Sequence, residues 1–166
     1  LRVFEKKIAG RIYPEMRDKV ALVTGGTQGL GAAIAHTFAR AGAAGIAIVG
    51  RGADKGRKVA AAIEAETQVP VQVIAADLGN IDDVRRIVPE ADARFGRVDI
   101  LVNAAGLTDR GNLLNTTPEL LNRMFAVNVR GMFDLTKAFI PKMIERKYGV
   151  IVNVSSAATR GINPRK

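Results

Sequence analysis

Gly25, Gly29 and Gly31 stand between an apolar run, Val20 to Val23, and a stretch in which Leu30, Ile34, Phe38 and Ala41 recur at helical spacing. Strand, glycine turn, helix is the order that binds a phosphate. The glycines let the backbone turn sharply and approach a pyrophosphate, whose charge then sits on the unpaired N–H groups at the helix N-terminus. On this reading a side chain at Gly29 or Gly31 blocks the approach. No G-K-[ST] follows, which argues against a P-loop. A flexible turn with no ligand is the plainer alternative. Two further groups have chemical character: Asn128 inside Phe125–Gly131, and the pair Ser155-Ser156 closing a late apolar run. An asparagine among apolar residues needs partners, because an unsatisfied buried amide is costly. His36 is the sole histidine, has no acidic cluster nearby in sequence, and is read as a surface or half-buried residue with no metal role. No G-x-S-x-G elbow supports a serine hydrolase.

The elements that must position these residues follow from periodicity. Buried strands are expected at Val20–Val23, Ile46–Val49, Val71–Ile74, Ile100–Val102 and Val150–Val154. Helices are expected between them: one after the glycine turn, one over Lys55–Gln68, one behind an N-cap at Asn80 with Asp83 three residues on, and a long one from Pro118 to about Arg146. Pro89 should disturb the third helix and Pro141 bend the fourth. Such alternation implies an α/β fold, a Rossmann-type doubly wound parallel sheet of five strands in the order 3-2-1-4-5 with helices on both faces. Residues 1–18 read as an N-terminal extension and 19–166 as one nucleotide-binding domain, incomplete at its C-terminus. In such sheets the ligand lies beyond the carboxyl ends of the strands, near the switch point between strands 1 and 4.

The strand ends carry matching residues. Gly50-Arg51 ends strand 2 without the carboxylate that would bind an unphosphorylated adenosine ribose, and Arg51 can pair with a 2′-phosphate through its planar fork, which favours NADP over NAD. A solvated loop cation is the alternative for Arg51. Strand 3 is followed by Asp77-Leu78, and strand 4 runs into Asn103-Ala104-Ala105-Gly106, where small residues let the backbone approach a ribose.

With the spacing G-x-x-x-G-x-G over Gly25, Gly29 and Gly31, these motifs resemble the short-chain dehydrogenase/reductase family across essentially all of Lys19 to Gly161. The resemblance implies that Gly25, Thr27, Gln28, Gly29, Leu30 and Gly31 hold the cofactor phosphates and that Asp77 and Leu78 meet the adenine. It implies that Asn103, Ala104, Ala105 and Gly106 lie along the ribose. Asp77 could otherwise be a plain loop aspartate, and Asn103 could serve to tie neighbouring strands. NADP-preferring members often carry a basic residue just before the second glycine, where this chain has Gln28. Asn128 matches the family's asparagine that holds a water in a proton relay, a structural amide being the other reading. Ser156 matches the serine that hydrogen-bonds the reacting oxygen. The family's tyrosine, thirteen positions on, falls at position 169, and its lysine four beyond that, both past Lys166; neither Tyr13 nor Tyr148 has the spacing. The sequence thus holds the cofactor half and part of the catalytic set, and we expect the polypeptide to continue, a naturally truncated inactive chain being the rival.

The implied activity is an NADP(H)-preferring oxidoreductase, NAD being second choice, that interconverts a ketone and a secondary alcohol without a metal. The resemblance admits sugars, polyols, hydroxy acids and acyl thioesters as substrates. A non-catalytic nucleotide-binding or regulatory protein of the same fold is the alternative. Composition sets the remaining bounds. The 166 residues, 48% of them apolar, suit one core. The absence of cysteine excludes disulfides and thiolate metal sites and is compatible with the cytoplasm, where we expect the protein. Every apolar stretch is interrupted well short of the roughly 20 residues of a membrane span. Of the net charge of +9, six excess charges lie in residues 1–19 and 155–166, leaving +3 over residues 20–154. No basic stripe for nucleic acid results, and an anionic cofactor accounts for the surplus equally well. A homo-oligomer is expected from the resemblance.

Overall fold

A computed structural model describes residues 16–108 and 114–156. The five strands are β1 (Val20–Thr24), β2 (Gly45–Gly50), β3 (Val71–Ala75), β4 (Ile100–Asn103) and β5 (Val150–Asn153). They form one parallel sheet in the order β3-β2-β1-β4-β5, as the alternation of elements predicts. Ahead of β1, Arg17 pairs with Ala43 in an antiparallel bridge and Met16 packs beside the core.

Alternate residues of the central strands point to opposite faces. Val20 and Leu22 join Val49, Ile74 and Leu101 in one core, covered by Ile87 and Ala91 of α3 (Ile81–Phe95) and by Leu135, Phe139 and Met143 of α5 (Met132–Glu145). Ala21 and Val23 join Ile46, Ile48 and Val102 in the other, covered by Ala35 and Ala39 of α1 (Gly29–Arg40) and Ile63 of α2 (Ala53–Thr67). The α1 face against the sheet is therefore built of small residues, Gly31, Ala35 and Ala39. Leu30, expected on that face, is 60% exposed, and Ile34 and Phe38 only flank it. Small residues let α1 approach β1 closely, which keeps the glycine turn short.

Neither expected proline site ends its helix. The α3 helix runs unbroken through Pro89 and α5 through Pro141. Both prolines lie on exposed faces, as do Arg85 and Lys137 four residues earlier, so water can serve the carbonyls that lose their helical donor. The interruption falls elsewhere. Between α4 (Pro118–Phe125) and α5 the backbone widens into a π-helical segment, Ala126–Gly131. The single long helix expected over Pro118–Arg146 is thus two helices joined by a π-turn, a feature frequent at functional sites.

At the carboxyl ends of β1, β4 and β5, Thr24, Asn103 and Asn153 are register partners and form a polar rung. Thr24 Oγ1 accepts from the N–H groups of Ala104 (3.0 Å) and Ala105 (3.1 Å). Asn103 Nδ2 donates to Asn153 Oδ1 (2.9 Å) and Thr136 Oγ1 (3.1 Å). At the opposite end, buried Asp99 accepts from the Val20 N–H at 2.9 Å and from Arg97, pinning the start of β1 to the start of β4.

Candidate cofactor and active site

The glycine turn is built as the sequence suggests, with different duties for its glycines. Gly25 and Gly29 adopt φ of 69° and 55°, the left-handed region that side chains rarely take. A Cβ at Gly25 would also come within 2.9 Å of the Ala105 Cα. A Cβ at Gly29 would meet no protein atom within 4 Å, so within the fold this position needs conformation rather than space. Gly31 does need space, but against the turn itself: a Cβ there would overlap the Gly25 carbonyl. Gln28 precedes α1 in extended conformation and makes no side-chain cap, so the first N–H groups of the helix keep no side-chain acceptor. Thr27 packs against Gly50, joining the turn to the end of β2.

Four strand ends meet at one cleft of about 600 Å³, lined by Gly25, Thr27 and Gln28 after β1, Gly50 and Arg51 at the end of β2, Ala76–Leu78 after β3, and Ala105–Leu107 after β4. Val127, from the π-turn, closes it. A turn in which Gly25 and Gly31 leave no room for a Cβ, an uncapped helix N-terminus and a cation on the rim together fit a dinucleotide bearing phosphates. Eight of the thirteen expected cofactor positions share this lining, and Gly29, Leu30, Gly31, Asn103 and Ala104 do not.

Asp77 is held on two sides. Its Oδ1 accepts from the Gly79 N–H at 2.9 Å, and its Oδ2 pairs with the Arg123 guanidinium of α4. Burial pushes its pKa up, but the Gly79 N–H and the Arg123 guanidinium, with Arg51 farther off, outweigh that and hold the carboxyl below its ordinary value. Its own N–H donates to Asp83 Oδ2 (2.7 Å), so Asp83 reaches past the Asn80 cap, which itself accepts from the Asp82 N–H. Asn103 lies buried in the rung described above, where it ties neighbouring strands, and among the described residues its Oδ1 has no partner.

Asn128 sits in the π-turn and clamps one residue. Its Oδ1 accepts from the Leu107 N–H at 2.7 Å and its Nδ2 donates to the Leu107 carbonyl at 2.8 Å. The asparagine therefore fixes the backbone just after Gly106, on the wall of the cleft. Of the apolar residues at helical spacing around it, Leu135 is buried, whereas Leu121 is exposed and Met124 half-buried. Ser155 and Ser156 follow β5 beyond Val154, whose N–H donates to the Asn103 carbonyl at 2.9 Å. They lie on the carboxyl side of the sheet, as the cleft does. His36 stands away from it on α1, 3.7 Å from Glu66, and among the described residues no three His, Cys, Asp or Glu side chains form a metal-binding group.

Sequence reasoning did not single out Thr24, Arg123 or Lys55 as site residues. Thr24 was the most accessible of these, a hydroxyl closing an apolar strand. Arg123 and Lys55 act across 46 and 27 residues of chain, and no local pattern marks them.

A parallel sheet in this order with a phosphate cradle at its switch point defines a dinucleotide-binding Rossmann domain. The short chain dehydrogenase family model matches residues 19–165, and the chain belongs to that family of oxidoreductases. It is 39% identical over 146 residues to a probable galactose dehydrogenase, GalD, of Rhizobium meliloti (strain 1021), covering 88% of this chain and 57% of that protein. Among solved structures it is similar to a metagenomic short-chain oxidoreductase in complex with NADP, with TM-score 0.82 and 34% identity over 89% of this chain and 66% of that one. It is also similar to L-sorbose reductase from Gluconobacter frateurii complexed with NADPH and L-sorbose, with TM-score 0.84 and 30% identity over 89% and 56%. The chain spans about half the length of the curated relatives it matches. No helix among the described residues is long and apolar enough to cross a membrane.

Proposed function

We propose that this protein is an NADP(H)-preferring oxidoreductase that interconverts a small-molecule ketone and secondary alcohol by hydride transfer, and that it works as a homo-oligomer. The observation that carries the reading is the single cleft joining the glycine turn, Arg51 and Asp77. Relatives bound to NADP and NADPH support the choice of cofactor. Bound NADPH would supply the hydride, and NADP would accept it in the reverse direction.

This chain's residues have separable tasks. The turn from Gly25 to Gly31, with the first N–H groups of α1, holds the pyrophosphate. Arg51 offers its fork to the 2′-phosphate. Asp77 and Leu78 border the adenine, and the segment from Asn103 to Gly106 lies along a ribose. Asn128, by fixing Leu107, sets the wall of the cleft and supports the path of the proton. The Ser156 hydroxyl donates to the substrate oxygen as charge develops on it. An exposed row on α4, the π-turn and α5 (Leu121, Phe125, Val129, Phe133) supports association with a second copy.

The test is kinetic, with NADPH and a panel of sugar ketones and β-ketoacyl thioesters. Ser156→Ala should lower kcat roughly a hundredfold or more while leaving the affinity for NADPH nearly unchanged. Ser155→Ala should be milder. Equal activity of Ser156→Ala and the unsubstituted protein contradicts the assignment.

A further inference from the structure

The glycine turn lacks a cation of its own, because Gln28 stands just ahead of Gly29. The fold brings one there from another element. Lys55, in the first turn of α2, directs its ammonium at the turn, and its Nζ donates to Gln28 Oε1 at 3.1 Å. Gln28, Arg51 and Lys55 then line a second cleft, of about 920 Å³, which shares Thr27, Gln28 and Arg51 with the first.

Several features make this corner suited to an anion. An ammonium has three donors and a neutral amide oxygen occupies one, so Lys55 has two donors left for an anion. Among the described residues Arg51 makes no hydrogen bond or ion pair, and Lys55 makes none beyond Gln28. The acidic residue lining the cleft, Asp54, is engaged by Arg57. The α2 helix starts behind Gly52, which offers no side-chain cap, so the positive end of its dipole faces the same corner.

We propose that Lys55 is a second specificity-determining residue for the 2′-phosphate, opposite Arg51, and that Gln28 is the positioning residue that holds the Lys55 ammonium over the turn. The inference rests on the NADP-preferring reading and assigns its selectivity to two cations from α2 and its approach rather than to Arg51 alone. Gln28 thereby takes the place of a basic residue in the turn by recruiting one.

Binding of 2′,5′-ADP and of 5′-AMP, measured by calorimetry, separates the inference from the reading beneath it, and neither measurement depends on turnover. The unsubstituted protein should bind 2′,5′-ADP more tightly. Lys55→Met keeps the length of the stem and removes the charge. It should weaken 2′,5′-ADP about tenfold, as expected for one charge-assisted contact, and change 5′-AMP by less than about twofold. Lys55→Arg should retain most of the preference, and Gln28→Ala should lose a smaller part of it than Lys55→Met. A preference left undiminished by Lys55→Met, or an equal loss for both nucleotides, overturns the role of Lys55 and leaves the cofactor reading standing. No preference in the unsubstituted protein overturns both.

Discussion

Asn128 directs both halves of its amide at Leu107, one accepting from the N–H and one donating to the carbonyl. Replacing it removes two bonds and leaves two backbone groups to find water at the edge of the cleft. Asn128→Ala should destabilise the fold by about 1 to 3 kcal/mol, measured by urea denaturation, and should lower kcat in the same preparation. Thr24 is 1% exposed and accepts from two successive N–H groups. Thr24→Val keeps the shape and orphans both donors, so it should cost about 1 to 3 kcal/mol, with an unchanged denaturation midpoint as the contrary result. Asp77 links stability to pH. Its folded pKa lies below the ordinary 3.8, so its contribution is complete above that value and is lost as pH falls through the lower, folded value. Asp77→Asn should therefore lower stability at neutral pH and flatten the acid limb of the stability curve below pH 3.8. An unchanged limb would show that Arg123 and Gly79 do not favour the carboxylate. The sequence shows Asn128 and Asp77 as polar residues in telling places, but their partners are not readable from it. Leu107 and Arg123 reach them only when the π-turn and α4 fold across the strand ends.

At the scale of elements, periodicity was sufficient for the sheet and for the first three helices, and insufficient for the interruption within the last. Strands of four to six apolar residues bounded by glycine, proline or asparagine leave little choice of order once each is followed by a helix. The π-turn is different. Its one extra residue per turn leaves no mark on the pattern of Phe125–Gly131, because apolar residues there satisfy helical spacing either way. The turn ends in a tertiary contact: Gly131 packs so closely on the loop after β3 that a Cβ would overlap the Leu78 carbonyl. Gly131→Ala should force the helices off that loop, costing about 1 to 3 kcal/mol and weakening nucleotide binding through Leu78 and Val127. A variant with unchanged stability and affinity would mean that the close approach can relax freely. The prolines misled for the opposite reason. Pro89 and Pro141 are local helix breakers by rule, and only their place on the wet face reveals that the cost is small.

For the molecule as a whole, two surfaces matter. One is the row Leu121, Phe125, Val129 and Phe133, each between 48 and 60% exposed, the last of them on α5, whose other side builds the core. Phe133→Glu should shift the protein toward smaller species in sedimentation velocity if that row joins two copies, as proposed. The other is the carboxyl edge of the sheet, where the glycine turn, Arg51, Asp77 and the Leu107 wall converge. The charge of +9 is consistent with an anionic ligand there without a basic stripe elsewhere in residues 20–154. A titration of the purified protein with NADPH and with NADH, at fixed salt, tests the cofactor preference of that edge most directly. NADPH should bind about tenfold or more tightly, as a charge-assisted contact to the 2′-phosphate implies, and Arg51→Ala should narrow the gap. Equal affinity for the two nucleotides, or tighter binding of NADH, would contradict that preference.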